Sequence, residues 1–422
     1  MSTSVASKLQ TFVKDNSASL IAATQSLVQA PSPNPPGDVR QVATAAVQAI
    51  QSLVHDSKVF TYESAPGIVN VVAILKGSQP GKRLVFSGHL DTYPAGDLSR
   101  WTKEPFSGYI SDDGTRLYGR GASDMKGGIA ASIFAARALA AQKEAWAGEI
   151  VIALAGDEET MGTLGTGSLL QNVPEVSGDA MICGDAGSPN VIRVGEKGLL
   201  WVEMEATGLG AHGAHVHRGV NAIDNLLCAL RRLKTIEGLP FDADSDVQAV
   251  IESAKLVSEP LGGKGEATVL NSITVNIGKI AGGTSTNLVA DNASASADIR
   301  LPVGVTVDML TEHIGDLLGG INGLQHRIIR GYDPSWTAPN EEIVRCTLQG
   351  AKEVIKDEVV VNMRVGASDA RLFRQAGVPS VVVGLTPYNM GGPDEYIEIA
   401  ELVQLSQIHA LAAFQFLRHS GG

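Results

Sequence analysis

Cysteine is almost missing from this chain: Cys183, Cys228 and Cys346 are the only three in 422 residues. Widely separated and odd in number, they argue against a disulfide framework or a cysteine metal knuckle and fit a reducing, cytoplasmic compartment. Basic excess is lacking too. A net charge of −12 offers no cationic stripe to neutralise phosphates, which argues against a nucleic-acid partner. Anionic small molecules stay admissible, because a local Arg or metal ion can dominate a pocket. No apolar run approaches the ~20 residues that span a bilayer, so no membrane partner is expected. The opening stretch from Met1 to Lys8 has no apolar core or small-residue cleavage site, and no secretory signal is expected from it. Internal repeats and low-complexity segments are absent.

What is there is length and an alternating pattern. The chain exceeds what one hydrophobic core usually serves, so two domains are expected. Apolar strand patterns at 70–75, 84–86 and 149–154 bracket helix-like stretches, and 126–141 is Ala-rich with Ile129, Ile133 and Ala136 at helical spacing. This alternation predicts an α/β fold, with helices on both faces of a mixed, mostly parallel sheet. Near Gly195–Gly198 the character changes. Residues 199–206 alternate as a half-buried strand, 220–236 carry Ile223, Leu226, Leu227, Leu230 and Leu233 on one helical face, and strands are expected at 273–280 and 293–301. Helices at 342–355 and 398–417 and a buried strand at 380–384 then resume the first pattern. The expected organisation is a discontinuous catalytic domain, 1–195 and 333–422, with an inserted α+β lid and dimerisation domain at 196–332.

The chemistry-bearing residues stand where strands run out into loops, the place where α/β sheets bind ligands. His89 directly follows a strand and Asp91 lies two residues on, so one can hold a metal while the other hydrogen-bonds the imidazole. Asp124 follows glycines that permit a tight turn and precedes a helix N-terminus that favours a carboxylate. The side chains of Glu158 and Glu159 diverge, so one can ligate and the other serve as general base. Asp185 closes the series. Each piece alone has a plainer reading: a structural His-x-Asp, a helix cap, a solvated Glu pair, a buried apolar Cys183. Order, spacing and the shared strand-end setting together favour a divalent-metal hydrolase.

These motifs resemble the aminoacylase/carboxypeptidase G/succinyl-diaminopimelate desuccinylase family of co-catalytic metallohydrolases over nearly the whole chain. Ser87–Thr92 resemble its first ligand motif, Tyr118–Gly128 its bridging-Asp motif and Asp157–Gly162 its paired-Glu motif. The resemblance implies that His89, Asp124 and Asp185 hold one Mn²⁺ or Zn²⁺, and that Asp124 and Glu159 face a second. It makes Asp91 the residue that orients His89 and Glu158 the base for the attacking water, with a cis peptide often following the bridging Asp. It implies a lid that forms a homodimer, and a His212 that completes the partner subunit's site by oxyanion-type stabilisation. His215 and His217 are extra histidines on the same segment. Asn287 would contact substrate; Arg300 would do so or be structural. Arg364 is a candidate clamp for a substrate carboxylate or a structural Arg. The glycines at 208–213 satisfy a dinucleotide fingerprint by letter but lack its βαβ setting.

One departure stands out. The family's last ligand is a His in a His-x-x-x-Glu arrangement, and residues 386–396 contain none; His409 lies inside a helix pattern. Tyr388, Asn389 or Gly391 takes the vacant place, and Asn389 would offer only a carbonyl oxygen, better suited to a harder ion such as Mn²⁺. One functional ion per subunit is therefore expected. The reaction expected is C–N hydrolysis of a small carboxylate-bearing substrate. Its sharpest version is hydrolytic deamination of an aromatic amine of the 5-nitroanthranilate type, an activity found in this family, with Tyr388 and His215 suiting a flat acid. The alternatives are hydrolysis of N-acyl amino acids or dipeptides, and an inactive ligand-binding relative.

Overall fold

The structure, a computed structural model, describes residues 4–418. Nine strands form the larger sheet: β1 (Lys58–Ala65), β2 (Ile68–Lys76), β3 (Arg83–His89), β4 (Glu149–Ala155), β5 (Ala180–Cys183), β6 (Val191–Glu196), and later β11 (Ser335–Trp336), β12 (Val360–Arg364) and β13 (Ser380–Val382). Their spatial order is β1-β2-β4-β3-β5-β13-β6-β11, with β12 also beside β6. Parallel pairing runs through the centre, β4-β3-β5-β13, and joins β12 to β6, whereas the flanking pairs are antiparallel. The mixed α/β sheet expected from the sequence is present. Leu84 to His89 are buried one after another, which requires cover on both faces of the sheet. The helix Gly127–Ala140 supplies part of it, with twelve of its fourteen residues buried, and the helix Ile399–Leu417 packs against both it and β3.

A second sheet, β8-β9-β7-β10, is built from β7 (Gly198–Thr207), β8 (Thr274–Gly282), β9 (Asn292–Leu301) and β10 (Leu324–Tyr332). Alternate residues of β7 and β9 are buried, as a sheet covered on one face requires. Leu226, Leu230 and Leu233 of the helix Ala222–Lys234, with Leu310, Ile314 and Leu318 of Val307–Leu318, close a separate core over it. The block expected to be an inserted lid is not one packing unit, however. Its helices Ser245–Gly262 and Glu266–Leu270 place Val247, Ile251, Ala267 and Leu270 in the core of the larger sheet. Lys197, in the connection between the sheets, is buried and donates to the carbonyls of Val269 and Ser272 at 2.6 and 2.5 Å. Gly208–Gly213 leads from β7 into a short strand, Ala211–His212, paired with Leu288–Val289, not into a βαβ unit. Among the described residues no helix is long and apolar enough to cross a membrane.

Candidate metal centre

Because β4, β3 and β5 run parallel side by side, their C-terminal ends open on one edge. His89 ends β3, the turn Glu158–Thr160 follows β4, and Asp185 follows β5. Asp124 arrives from the other direction, in a single turn leading into the helix Gly127–Ala140. That helix can come this close because Gly128 and Gly184 face each other: a Cβ on Gly128 would fall 2.0 Å from the carbonyl oxygen of Gly184. Candidate ligand atoms of His89, Asp124 and Asp185 all lie within 4.8 Å of one another. The peptide bond Asp124–Met125 is cis.

Hydrogen bonds fix each group. His89 Nε2 lies 3.1 Å from Asp124 Oδ1, and Nδ1 lies 2.9 Å from the backbone carbonyl of Asp91 but 3.6 Å from its carboxylate. The carboxylate of Asp91 has a different main task. It accepts from the backbone amides of Glu158 and Glu159 at 3.1 and 3.0 Å and from Asn34 Nδ2 at 2.9 Å, so it anchors the paired-Glu turn to the strand end of His89. Arg364 faces Asp185: Nη1 stands 2.9 Å from Oδ2, off the N–H axis, while Nη2 donates to Oδ1 at 3.3 Å. Its guanidinium is thus engaged with a candidate ligand.

Burial works against charge throughout this cluster. It would depress the imidazole of His89, but the bonds to Asp124 and Asp91 lift its pKa well above the ordinary value. Burial likewise opposes ionisation of Asp124, yet His89 holds that carboxyl below its usual range. Glu158 is raised well above the usual value by burial and, against the pull of His89, by Asp369, Asp185 and Glu159. Glu159 is pushed up to about 8 by burial and the neighbouring Asp124, Asp91 and Asp185, and its Oε1 is buried without a hydrogen-bond partner. Crowded carboxylates that raise one another, an imidazole and an orphaned carboxylate oxygen together suit a divalent cation.

The last sequence motif behaves differently. Tyr388 is stacked on Tyr396, with ring centroids 4.7 Å apart and planes 8° apart. Asn389 is exposed, in left-handed backbone at φ 55°, and donates back to the Asp394 carbonyl at 3.2 Å. Gly391 has no side chain to offer. The acidic member of the motif is the active part: Glu395, 1% exposed, pairs with Arg120 Nη1 at 2.6 Å and accepts from the amides of Gly121 and Ser123 and from Ser123 Oγ. It therefore holds the loop that presents Asp124. Sequence reading missed Asn34 and Arg120; only Arg120 lay within a motif, next to Gly121. His409 is buried in the core, against Val383 O and Ser132 Oγ, and Cys183 is buried as well.

On a separate two-stranded ribbon, the pairing of Leu288 with His212 brings Asn287 beside Gly213, whose amide donates to the Asn287 carbonyl at 2.6 Å. His212, His215 and Asn287 share this exposed ledge, with the rings of His212 and His215 5.9 Å apart. Arg300 is paired with Asp298.

Fold and cluster together define a class: an α/β metallohydrolase carrying an added sheet. Residues 85–415 match the peptidase family M20/M25/M40, and the chain belongs to that family. It is accordingly an enzyme of the metal-dependent C–N hydrolase class. The chain is 30% identical over 411 residues to a succinyl-diaminopimelate desuccinylase of Methylorubrum extorquens, covering 92% of this chain and 96% of that one. It is 29% identical over 338 residues to the enzyme of that name from Rhodospirillum centenum, covering 78% and 80%. An M20 family metallo-carboxypeptidase from Sulfolobus solfataricus has the same fold, at TM-score 0.76, 21% identity and coverage of 94% and 99%.

Proposed function

We propose that this enzyme hydrolyses the C–N bond of a small carboxylate-bearing substrate with one divalent ion, Mn²⁺ or Zn²⁺, and that its substrate is an electron-poor aromatic amine of the 5-nitroanthranilate type. The observation that carries the one-ion reading is the fate of the vacant position: Tyr388 is stacked, Asn389 is turned outward and Gly391 has no donor. His89, Asp124 and Asp185 would hold the ion. When bound, it supplies Lewis-acid polarisation and lowers the pKa of water.

The protein's own share of the chemistry follows from position. Glu158, fixed through its amide to Asp91, takes a proton from water as the water oxygen bonds to the carbon bearing the amine. The C–N electron pair then leaves with nitrogen, which receives that proton, and the products are a phenol and ammonia. Asp91 keeps Glu158 and His89 in register. Arg364 neutralises Asp185 and is a poor candidate for clamping substrate while so engaged.

A second reading, hydrolysis of an N-acyl amino acid, is favoured by the likeness to the two desuccinylases. Ammonia release from 5-nitroanthranilate by Mn²⁺- or Zn²⁺-loaded protein, against succinate release from N-succinyl amino acids, separates the two. Ammonia with the carbon skeleton intact supports the first; succinate without ammonia replaces it with the second. The exposed ledge of His212, with Leu209 and Val216 beside it, supports a homodimer in which His212, His215 and Asn287 face the partner's substrate. Buried, unbridged Cys183 and Cys346 suit a cytoplasmic enzyme.

A further inference from the structure

Asp91 holds the front of the paired-Glu turn through the amides of Glu158 and Glu159, but the back of that turn needs a support of its own. Met161, which caps it, stands at φ +87°. Residues other than glycine enter this left-handed region rarely, and stay there only where their surroundings hold them. The Met161 amide donates to the Glu158 carbonyl at 2.7 Å, so Met161 and the base share one tight loop. The outside hold is Arg371, second residue of the helix Ala370–Gln375 and 3% exposed. Its Nη2 donates to the Met161 carbonyl at 2.6 Å and its Nη1 to the Ser368 carbonyl at 2.8 Å. Ser368 is fully buried and donates through Oγ to Glu196 Oε2 at 2.7 Å, and Glu196 ends β6. On its other side the Arg371 guanidinium lies 4.9 Å from the centre of the Tyr332 ring, and Tyr332 ends β10. The two crossings between the sheets run side by side there: a Cβ on Gly198 would fall 2.7 Å from the Tyr332 carbonyl oxygen.

We infer that Arg371 is a positioning residue for the proton transfer: it fixes the turn of Glu158 from behind and ties that turn to the junction of the two sheets. A planar guanidinium suits the task, because its fork reaches two carbonyls at once while its face rests on an aromatic ring. A lysine ammonium in its place would reach one carbonyl and offer no plane to the ring. With Asp91 at the amides and Arg371 at the carbonyl, the turn is held at both ends. A shift of the smaller sheet would press the Tyr332 ring against the guanidinium and reach Glu158 through residues in direct contact. This rests on the proposed role of Glu158 as the base.

Hydrogen exchange read by mass spectrometry tests the turn without turnover, on full-length, Mn²⁺-loaded protein. The segment 157–167, whose Met161 and Gly162 amides bond to Glu158 O and Asp157 O, should exchange about tenfold faster or more in Arg371→Gln. Arg371→Lys, which keeps a positive charge facing Asp369, should show a smaller increase. Segments around His89 and the helix Gly127–Ala140 should exchange as in the wild type. The catalytic readout is kcat against KM for whichever product, ammonia or succinate, the enzyme releases. Arg371→Gln should lower kcat about ten- to hundredfold, with KM changed less than about threefold and metal content unaltered. In a Glu158→Gln background the same change should lower kcat less than about twofold, because no base is left to position. Tyr332→Leu should lower kcat about two- to fivefold and lose that effect once residue 371 is Gln. Unchanged exchange of the turn in Arg371→Gln, an equal loss of kcat with and without Glu158, additive losses at Tyr332 and Arg371, or a loss confined to KM or metal content would each overturn the inference. A wild-type enzyme that releases neither product sinks the proposed reaction, and the exchange contrast alone then decides whether Arg371 fixes the turn.

Discussion

Asp91 anchors the site through its backbone neighbours as much as through charge. Its carboxylate holds the amides of both Glu158 and Glu159, so Asp91→Ala should loosen base and ligand at once. Glu158→Gln is the narrower change, because it keeps the side chain's size and removes only its basicity. It should cut turnover by ~10²-fold or more with metal content unaltered, and near-normal turnover would show that another group takes the proton. Metal binding has its own readout. One ion per chain should be counted by mass spectrometry, and Mn²⁺ or Zn²⁺ at a hundred times its Kd should stabilise the fold by about 2.7 kcal/mol, with chelator reversing the shift. Two tightly held ions per chain would defeat the one-ion reading. The candidate ligands His89, Glu159 and Asp185 were legible in the sequence because each stands where a strand with a parallel neighbour runs out, and Asp124 because glycines precede it and a helix follows. Asn34 was not, since nothing in a lone Asn marks it as facing a carboxylate from a distant segment.

At the scale of elements, two buried pairings make separate predictions. The Arg120–Glu395 pair ties the Asp124 loop to the segment after β13, with both side chains 1% exposed. Glu395→Ala would leave a buried, uncompensated guanidinium and should cost about 3–5 kcal/mol in denaturant unfolding. Glu395→Gln keeps the shape and some hydrogen bonds and should cost less. His409 couples the helix Ile399–Leu417 to the sheet. Its Nε2 faces a carbonyl, which can only accept, so the neutral ring carries its proton there and Nδ1 receives from Ser132. Burial lowers its pKa from 6.5 to about 4, against the opposing bond to Val383. The folded value being the lower one, stability is fully present above pH 6.5 and is lost as pH falls toward 4, where the unfolded chain gains a proton first. The loss is on the order of 3 kcal/mol, and His409→Gln should flatten that part of the pH dependence of unfolding. The helix Gly127–Ala140 and the strands around it were readable because their apolar runs are long. The helix Ser245–Gly262 shows the opposite case: lying between two strands of the smaller sheet, it was assigned with them, and only tertiary contact reveals that its apolar face belongs to the larger core.

At the scale of the whole molecule, the ledge of His212 stands on a two-stranded ribbon separate from the larger sheet that carries the metal cluster. His212 is exposed, and its Nδ1 accepts from the amide of Ala214 at 3.1 Å, which leaves Nε2 as the nitrogen free to point at a substrate. Around it Leu209, Val216, Val220 and Leu288 are 45–67% exposed, an apolar setting that a second copy of the chain would cover. If His212 acts in the partner's site, two inactive variants should rescue each other. A chain with Glu158→Gln still carries His212, and a chain with His212→Ala still carries Glu158. Each mixed dimer then contains one complete site, assembled from the Glu158 of one subunit and the His212 of the other. Equal mixing after dissociation and reassociation should restore about a quarter of wild-type activity, because half the dimers are mixed and each has one good site of two. Rescue must vanish when the same mixture is held as unexchanged homodimers, which size-exclusion chromatography with light scattering can verify. Exchange without rescue would assign His212 to its own subunit's site or to none, and the exposed ledge around it would then serve assembly alone.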